Sequence, residues 1–153
     1  MRITDFLSEQ SVIPALAGGD KNAVLKEMAD RLASNHEVLN RDQVFQALLK
    51  REKDGTTAFG EGVAIPHGKL AGVERVLGVF ARSPEGIDFA SLDGGRTHLF
   101  FVLIAPENAA ADHLKALARL SRLLKDEAFR RRLMGGKTRQ EIYQIIAEED
   151  QKF

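Results

Sequence analysis

The chain has 153 residues, 44% of them hydrophobic and 29% charged, with 22 Lys and Arg balanced by 22 Asp and Glu. One domain of this size hides roughly 70% of the surface its unfolded chain exposes, so a core forms without a disulfide or metal staple. The absence of cysteine excludes a thiol nucleophile, an iron–sulfur cluster and Cys-ligated zinc, and a formal charge of zero argues against a surface built for nucleic acid. No apolar run reaches the ~20 residues of a membrane span, and Met1 to Phe6 lacks the apolar stretch of a secretory signal. A cytoplasmic location without membrane insertion is therefore expected.

In chain order, Asp20 is placed to cap a first helix whose apolar positions Val24, Leu25, Met28, Ala29 and Leu32 recur at helical spacing. Asn40 caps a second, with Val44, Ala47 and Leu48 inward and Gly55 as its stop. Arg51 lies seven residues from Val44 and three from Leu48, which puts a guanidinium on the apolar side of this helix near its C-terminal end. An inward arginine needs an anion. A carboxylate such as Glu61 would serve as well as a ligand.

The stretch from Gly55 to Lys69 holds Gly55, Gly60, Gly62 and Gly68. Two nucleotide motifs fail by counting. A P-loop needs four residues between its glycines and then Lys-Ser/Thr, whereas Gly62 to Gly68 encloses five and Leu70 follows Lys69. A dinucleotide fingerprint beginning at Gly60-Glu61-Gly62 needs glycine where Ile65 stands. What remains is a framed histidine. Pro66 fixes its own φ and pushes Ile65 into an extended conformation, so a strand including Val63 to Ile65 runs up to His67, and Gly68 is expected to let the chain turn sharply beside the ring. Such a ring suits a nucleophile, with one nitrogen held as a donor and a lone pair on the other. A histidine that merely occupies a turn fits the same local pattern.

Val76 to Phe80 and Leu99 to Ile104 are apolar at consecutive positions, the mark of strands covered on both faces, and Ile87 to Phe89 is a shorter candidate. A third helix starts between Asn108 and Asp112 and carries Leu114, Leu117, Leu120, Leu123 and Leu124, with Lys115, Arg119, Arg122 and Asp126 on its opposite side. His113 falls on the stripe of Leu117, Leu120 and Leu124, pointing inward near the helix N-terminus, where imidazolium is disfavoured and free N–H groups suit an anion. A core histidine bonded to a backbone carbonyl satisfies the same spacing. The last helix opens with Thr138 and Glu141 in capping-box spacing and buries Ile142, Ile145 and Ile146. Helices flanking a buried sheet give a three-layer α/β/α sandwich, and the short Gly-bearing turns leave a single domain over residues 1–153.

Nine basic residues fall between Lys115 and Arg139, read here as a solvated face. His36, His67, His98 and His113 show no metal-ligand spacing, so neither a metal nor a cofactor is expected.

Gly60-Glu61-Gly62 followed by Ile65-Pro66-His67-Gly68-Lys69, with Leu48-Leu49-Lys50-Arg51-Glu52 before and a helix near Asp112-His113-Leu114 after, resembles the enzyme IIA domains of the bacterial phosphoenolpyruvate-dependent phosphotransferase system. The type is the mannitol/fructose one and the nearest branch the nitrogen-regulatory one, over about residues 3 to 146. The resemblance implies a mixed, about five-stranded sheet between helices. It implies phosphorylation of His67 on Nε2 by a phosphorylated HPr-like carrier, with His113 and Arg51 supporting the phosphoryl group. Thr56 and Glu61 fall where mannitol-type relatives keep a hydroxyl and a carboxylate, and Lys69 reads as a solvated cation beside the site. A sugar-specific member passes the group to a IIB domain, for which this chain has no room, so a regulator acting on a downstream target protein is the expected role.

Overall fold

The computed structural model describes all residues from Met1 to Phe153. Two short 3-10 turns lead into β1 (Val12–Ile13), then α1 (Lys21–Asn35) and α2 (Arg41–Lys53). Both helices start where their caps predict: the Asp20 carboxylate accepts from the Ala23 N–H at 2.8 Å, and the Asn40 side chain from the Gln43 N–H at 3.1 Å. Three short strands follow, β2 (Ala58–Gly60), β3 (Val63–Ala64) and β4 (His67–Leu70), then the long pair β5 (Leu77–Ile87) and β6 (Thr97–Pro106). The chain closes with α3 (Ala110–Leu124), α4 (Glu127–Gly135) and α5 (Arg139–Gln151). No helix is long and apolar enough to cross a membrane.

The sheet is mixed, ordered β1-β5-β6-β3-β2, with β4 also on β6. Six segments occupy five positions, because β3 and β4 lie in line along one side of β6, at Leu99 to Phe100 and at Leu103 to Pro106. Pro66 separates them, since it has no N–H to give the ladder, although its carbonyl still accepts from the Leu103 N–H at 3.0 Å. The expected five strands are therefore six segments. β2 flanks β3 alone, which leaves the outer edge of β4 without a neighbouring strand.

Consecutive apolar residues of β6 serve opposite faces. Leu99, Phe101, Leu103 and Ala105 join α3, α4 and α5 in one core, while Phe100, Val102 and Ile104 join α1 and α2 in the other. The three-layer sandwich follows. α4 is an element the apolar periodicity does not announce: Asp126, expected on the outer side of the third helix, instead caps α4 by accepting from Ala128 and Phe129, and only Phe129 and Leu133 are buried there. Leu114, expected on the inner stripe, is 68% exposed, and Arg119, expected outside, reaches the buried Asp150 carboxylate. Within the basic run three more arginines are paired, Arg130 with Glu61, Arg131 with Glu127 and Arg132 with Glu148.

Gly68 makes no turn. It is the second residue of β4, paired with Ile104, and a Cβ there would stand 3.1 Å from the Ala47 Cβ and 3.2 Å from the Ala47 carbonyl carbon of α2. The missing side chain lets α2 lie directly on the strand. Gly68→Ala is expected to force α2 outward and to lower stability by about 1–3 kcal/mol, read from urea unfolding. An unchanged midpoint would mean that α2 yields freely.

Candidate functional site

His67 opens β4 at the unpaired edge, and its neighbours come from both helix layers. An open cleft of about 380 Å³ is lined by Ala47, Lys50 and Arg51 of α2 and Asp54 just after it, by His67, Gly68 and Lys69, by Glu107 in the turn before α3 and by His113 in the first turn of that helix. In β4 His67 is opposite Leu103, whose side chain faces the α3 layer, whereas Gly68 meets α2. The alternation of a strand thus sends the imidazole toward His113 and leaves the bare position under Ala47.

The His67 ring is half-buried. Its Nδ1 lies 2.8 Å from the Ile65 carbonyl, which can only accept, so Nδ1 carries the proton and the neutral ring keeps its lone pair on Nε2. Burial pushes the His67 pKa below its ordinary value, as does the Arg51 guanidinium, while the Ile65 carbonyl and the Glu52 carboxylate hold it partly up. His113 stands edge-on to this ring, with centroids 5.3 Å apart and planes at 77°. Burial, then the neighbouring charges of His67 and Lys69, lowers its pKa to about 4. His113 is therefore neutral at pH 7, and its buried Nε2 has no partner in the protein. An orphan of that kind at the wall of a cleft is a place where a ligand oxygen would complete the bonding. Ala109, the N-cap of α3, offers no side-chain cap, so the first N–H groups of that helix also lack acceptors.

Arg51 reaches the cleft from the last turn of α2, where Nη1 donates to the Gly55 carbonyl at 2.8 Å. Gly55 takes φ +137° just past the helix end. Glu61 and Thr56 are not part of the cleft. Glu61 sits at φ +58° in the β2–β3 turn, its N–H on the Asp93 carboxylate and its own carboxylate on Arg130, so the Arg51–Glu61 pair is not formed. The Thr56 hydroxyl donates to the Phe89 carbonyl and accepts from the Ala58 N–H, which ties the loop down. The carboxylate that does act on His67 is Glu52, buried one residue beyond Arg51. A glutamate in the last turn of an otherwise basic helix end, where the macrodipole disfavours it, was the available signal.

Both imidazoles bind protons less readily here than in the unfolded chain, where each titrates near 6.5. The unfolded chain thus holds more protons below that value, and stability falls as pH drops from about 6.5 toward 4. His113→Gln is expected to shrink the difference between urea midpoints at about pH 7.5 and about pH 5 relative to the wild type. An identical pH dependence in both proteins would show that His113 titrates normally.

A presented imidazole, a second neutral imidazole with an unfilled nitrogen, and a guanidinium, gathered at an open sheet edge between two helix layers, define an α/β domain fitted to handle a small anion beside a nitrogen nucleophile. The chain belongs to the family of the phosphoenolpyruvate-dependent sugar phosphotransferase system, EIIA 2, whose model matches residues 5–149. It is 48% identical over 147 residues to a nitrogen regulatory protein of Bradyrhizobium diazoefficiens, covering 96% of this chain and 95% of that one. To the fructose-specific EIIABC component of Bacillus subtilis it is 37% identical over 150 residues, which span 98% of this chain and 24% of the larger protein. The crystal structure of the nitrogen regulatory protein IIA-Ntr from Neisseria meningitidis superposes with a TM-score of 0.88 at 34% identity, covering 94% of this chain and 98% of that one. Family membership and the nitrogen regulatory relatives support a phosphocarrier and regulatory role over a sugar-specific one.

Proposed function

We propose that His67 is the phosphoryl acceptor of this chain, taking the group on Nε2 from a phosphorylated HPr-like protein, and that Arg51 and His113 hold the transferred group. The observation that carries this reading is the Nδ1 contact to Ile65, which aims the lone pair of Nε2 away from the backbone in a cleft shared with Arg51 and His113. In the transfer the Nε2 lone pair forms a bond to phosphorus while the bond from phosphorus to the donor breaks and the donor keeps that electron pair. Charge collects on the three equatorial oxygens, so the protein's task is placement and neutralisation. Arg51 offers a planar fork to two of those oxygens, and a His113 Nε2–H would donate to a third. The regulatory output is a change in which downstream protein the chain binds, and a separate IIB domain is the alternative acceptor.

Incubation with phosphoenolpyruvate, the first enzyme of the system and an HPr-like carrier should add one acid-labile phosphoryl group, found by peptide mass on the His67 segment. An adduct elsewhere, or none, would overturn the reading. Arg51→Lys keeps the charge and loses the fork, and it is expected to slow uptake about 10- to 100-fold in single-turnover kinetics. A wild-type rate would show that Arg51 acts only as a point charge.

A further inference from the structure

Between α1, α2 and β2 lies a buried ion pair that the reading above leaves unused. The Glu52 side chain is 3% exposed and holds the Lys21 ammonium at 2.9 Å, and that ammonium also lies 4.6 Å from the centre of the Phe89 ring. The same carboxylate accepts from the Thr57 N–H at 3.1 Å and from the Thr57 hydroxyl. A carboxylate this deep persists only when its oxygens are filled, and three donors fill them here. Stability is a weak account of such a pair, because apolar groups of the same shape often serve a fold equally well.

From Thr57 the bonding continues to the imidazole. The Thr57 carbonyl accepts from the Ile65 N–H at 3.2 Å, and the Ile65 carbonyl accepts from His67 Nδ1 at 2.8 Å. A continuous path therefore runs from Glu52 through Thr57 and Ile65 to the ring, and Pro66 keeps Ile65 extended along it. The other charged groups facing His67, namely Arg51, Lys50, Asp54, Lys69 and Glu107, share the cleft without belonging to this path.

We propose that Glu52 is a positioning residue for His67: paired with Lys21, it fixes Thr57 and, through it, the Ile65 carbonyl that decides which ring nitrogen carries the proton and where the ring points. The proposal rests on His67 being the phosphoryl acceptor. Outer partners that orient a reacting imidazole act in this way at other histidine sites.

The test compares wild type, Glu52→Gln, Thr57→Val and Thr57→Ser by nitrogen-resolved NMR titration of His67 and by the rate of phosphoryl uptake. Glu52→Gln keeps the shape and removes the charge. The His67 ring should titrate lower, the neutral ring should spend more time protonated on Nε2, and uptake should slow about tenfold. Thr57→Val should move both readouts the same way by less, and Thr57→Ser should restore them. A merely structural role would lower the melting temperature without moving the titration or tautomer of the folded ring. A folded Glu52→Gln with wild-type titration and uptake overturns the proposal. If Glu52→Gln does not fold, Thr57→Val decides in its place, and unchanged readouts there overturn it. A wild-type chain that accepts no phosphoryl group overturns the parent reading instead, while the titration, which needs no donor, still decides the role of Glu52.

Discussion

His67→Ala is expected to abolish phosphoryl uptake, by at least about 10³-fold, while the chain stays folded. On the proposed reading no other group in the cleft can replace the lost nucleophile. His113 is neutral, but its pKa of about 4 makes it a far poorer base. The side-chain nitrogens of Lys50 and Lys69, which also line the cleft, belong to ammonium groups, which donate and hold no free electron pair. The fold should tolerate the change, because the half-buried ring makes its one hydrogen bond to the Ile65 carbonyl at the border of an open cleft, where water can take over as donor. A stability change of less than about 1 kcal/mol is expected. Intact-protein mass measured beside the wild type, together with a urea midpoint for each, separates lost chemistry from lost folding. An adduct of wild-type size on the alanine variant would sink the assignment.

Arg82→Met is expected to lower stability by about 3–5 kcal/mol, a loss large enough to move the melting temperature by about 10 °C or more. Arg82 lies in β5, only 8% exposed, and has no carboxylate within hydrogen-bonding distance. Its guanidinium is spent on backbone carbonyls: Nε donates to Pro14 at 2.8 Å, and Nη1 to Leu133 at 2.8 Å, Met134 at 3.0 Å and Gly136 at 2.7 Å. Leu133 and Met134 belong to the last turn of α4, whose carbonyls have no intrahelical donor and carry the negative end of the helix dipole. One side chain therefore closes α4, binds the segment after β1 and stitches both to the sheet. Methionine fills similar volume and donates nothing, so buried acceptors are left empty. Phosphoryl uptake by the folded fraction should remain near wild type, since Arg82 lies outside the cleft. A melting temperature within a few degrees of wild type would show that water satisfies those carbonyls instead.

The parts of the fold that could be read from the sequence are those whose cause is local. Asp20, Asn40 and Thr138 cap the helices they were expected to cap, because a capping side chain bonds N–H groups two or three residues away. The consecutive apolar residues of β6 reported a sheet covered on both sides. β1 and β2 escaped notice because segments of two and three residues leave no periodic trace, and their pairing with β5 and β3 is set by distant chain. Arg119 reads as outward and Arg82 gives no signal for one reason: a charge inside a strand or helix looks solvent-bound until the carbonyls or the carboxylate that receive it are known. At the site, spacing put His113 and Arg51 on the inner sides of their helices, and both line a cleft with His67, but only the family resemblance grouped the three. Gly68 reads as a turn in the sequence because a glycine needed for close approach is indistinguishable from a flexible one until Ala47 is placed above it. Glu61 and Glu52 show the same limit, since a carboxylate's worth depends on donors that, for Glu52, come from Lys21 and Thr57.

The bond from Arg51 to the Gly55 carbonyl bears on how ready the site is before anything arrives. It occupies one N–H of five, so the guanidinium is tethered and still has donors to offer. An untethered arginine gives up about 1.5–2 kcal/mol of rotamer freedom when it is fixed on a ligand, whereas a tethered one has surrendered part of that freedom on folding. On the proposed reading, the backbone of one glycine keeps the fork cocked between one phosphoryl group and the next.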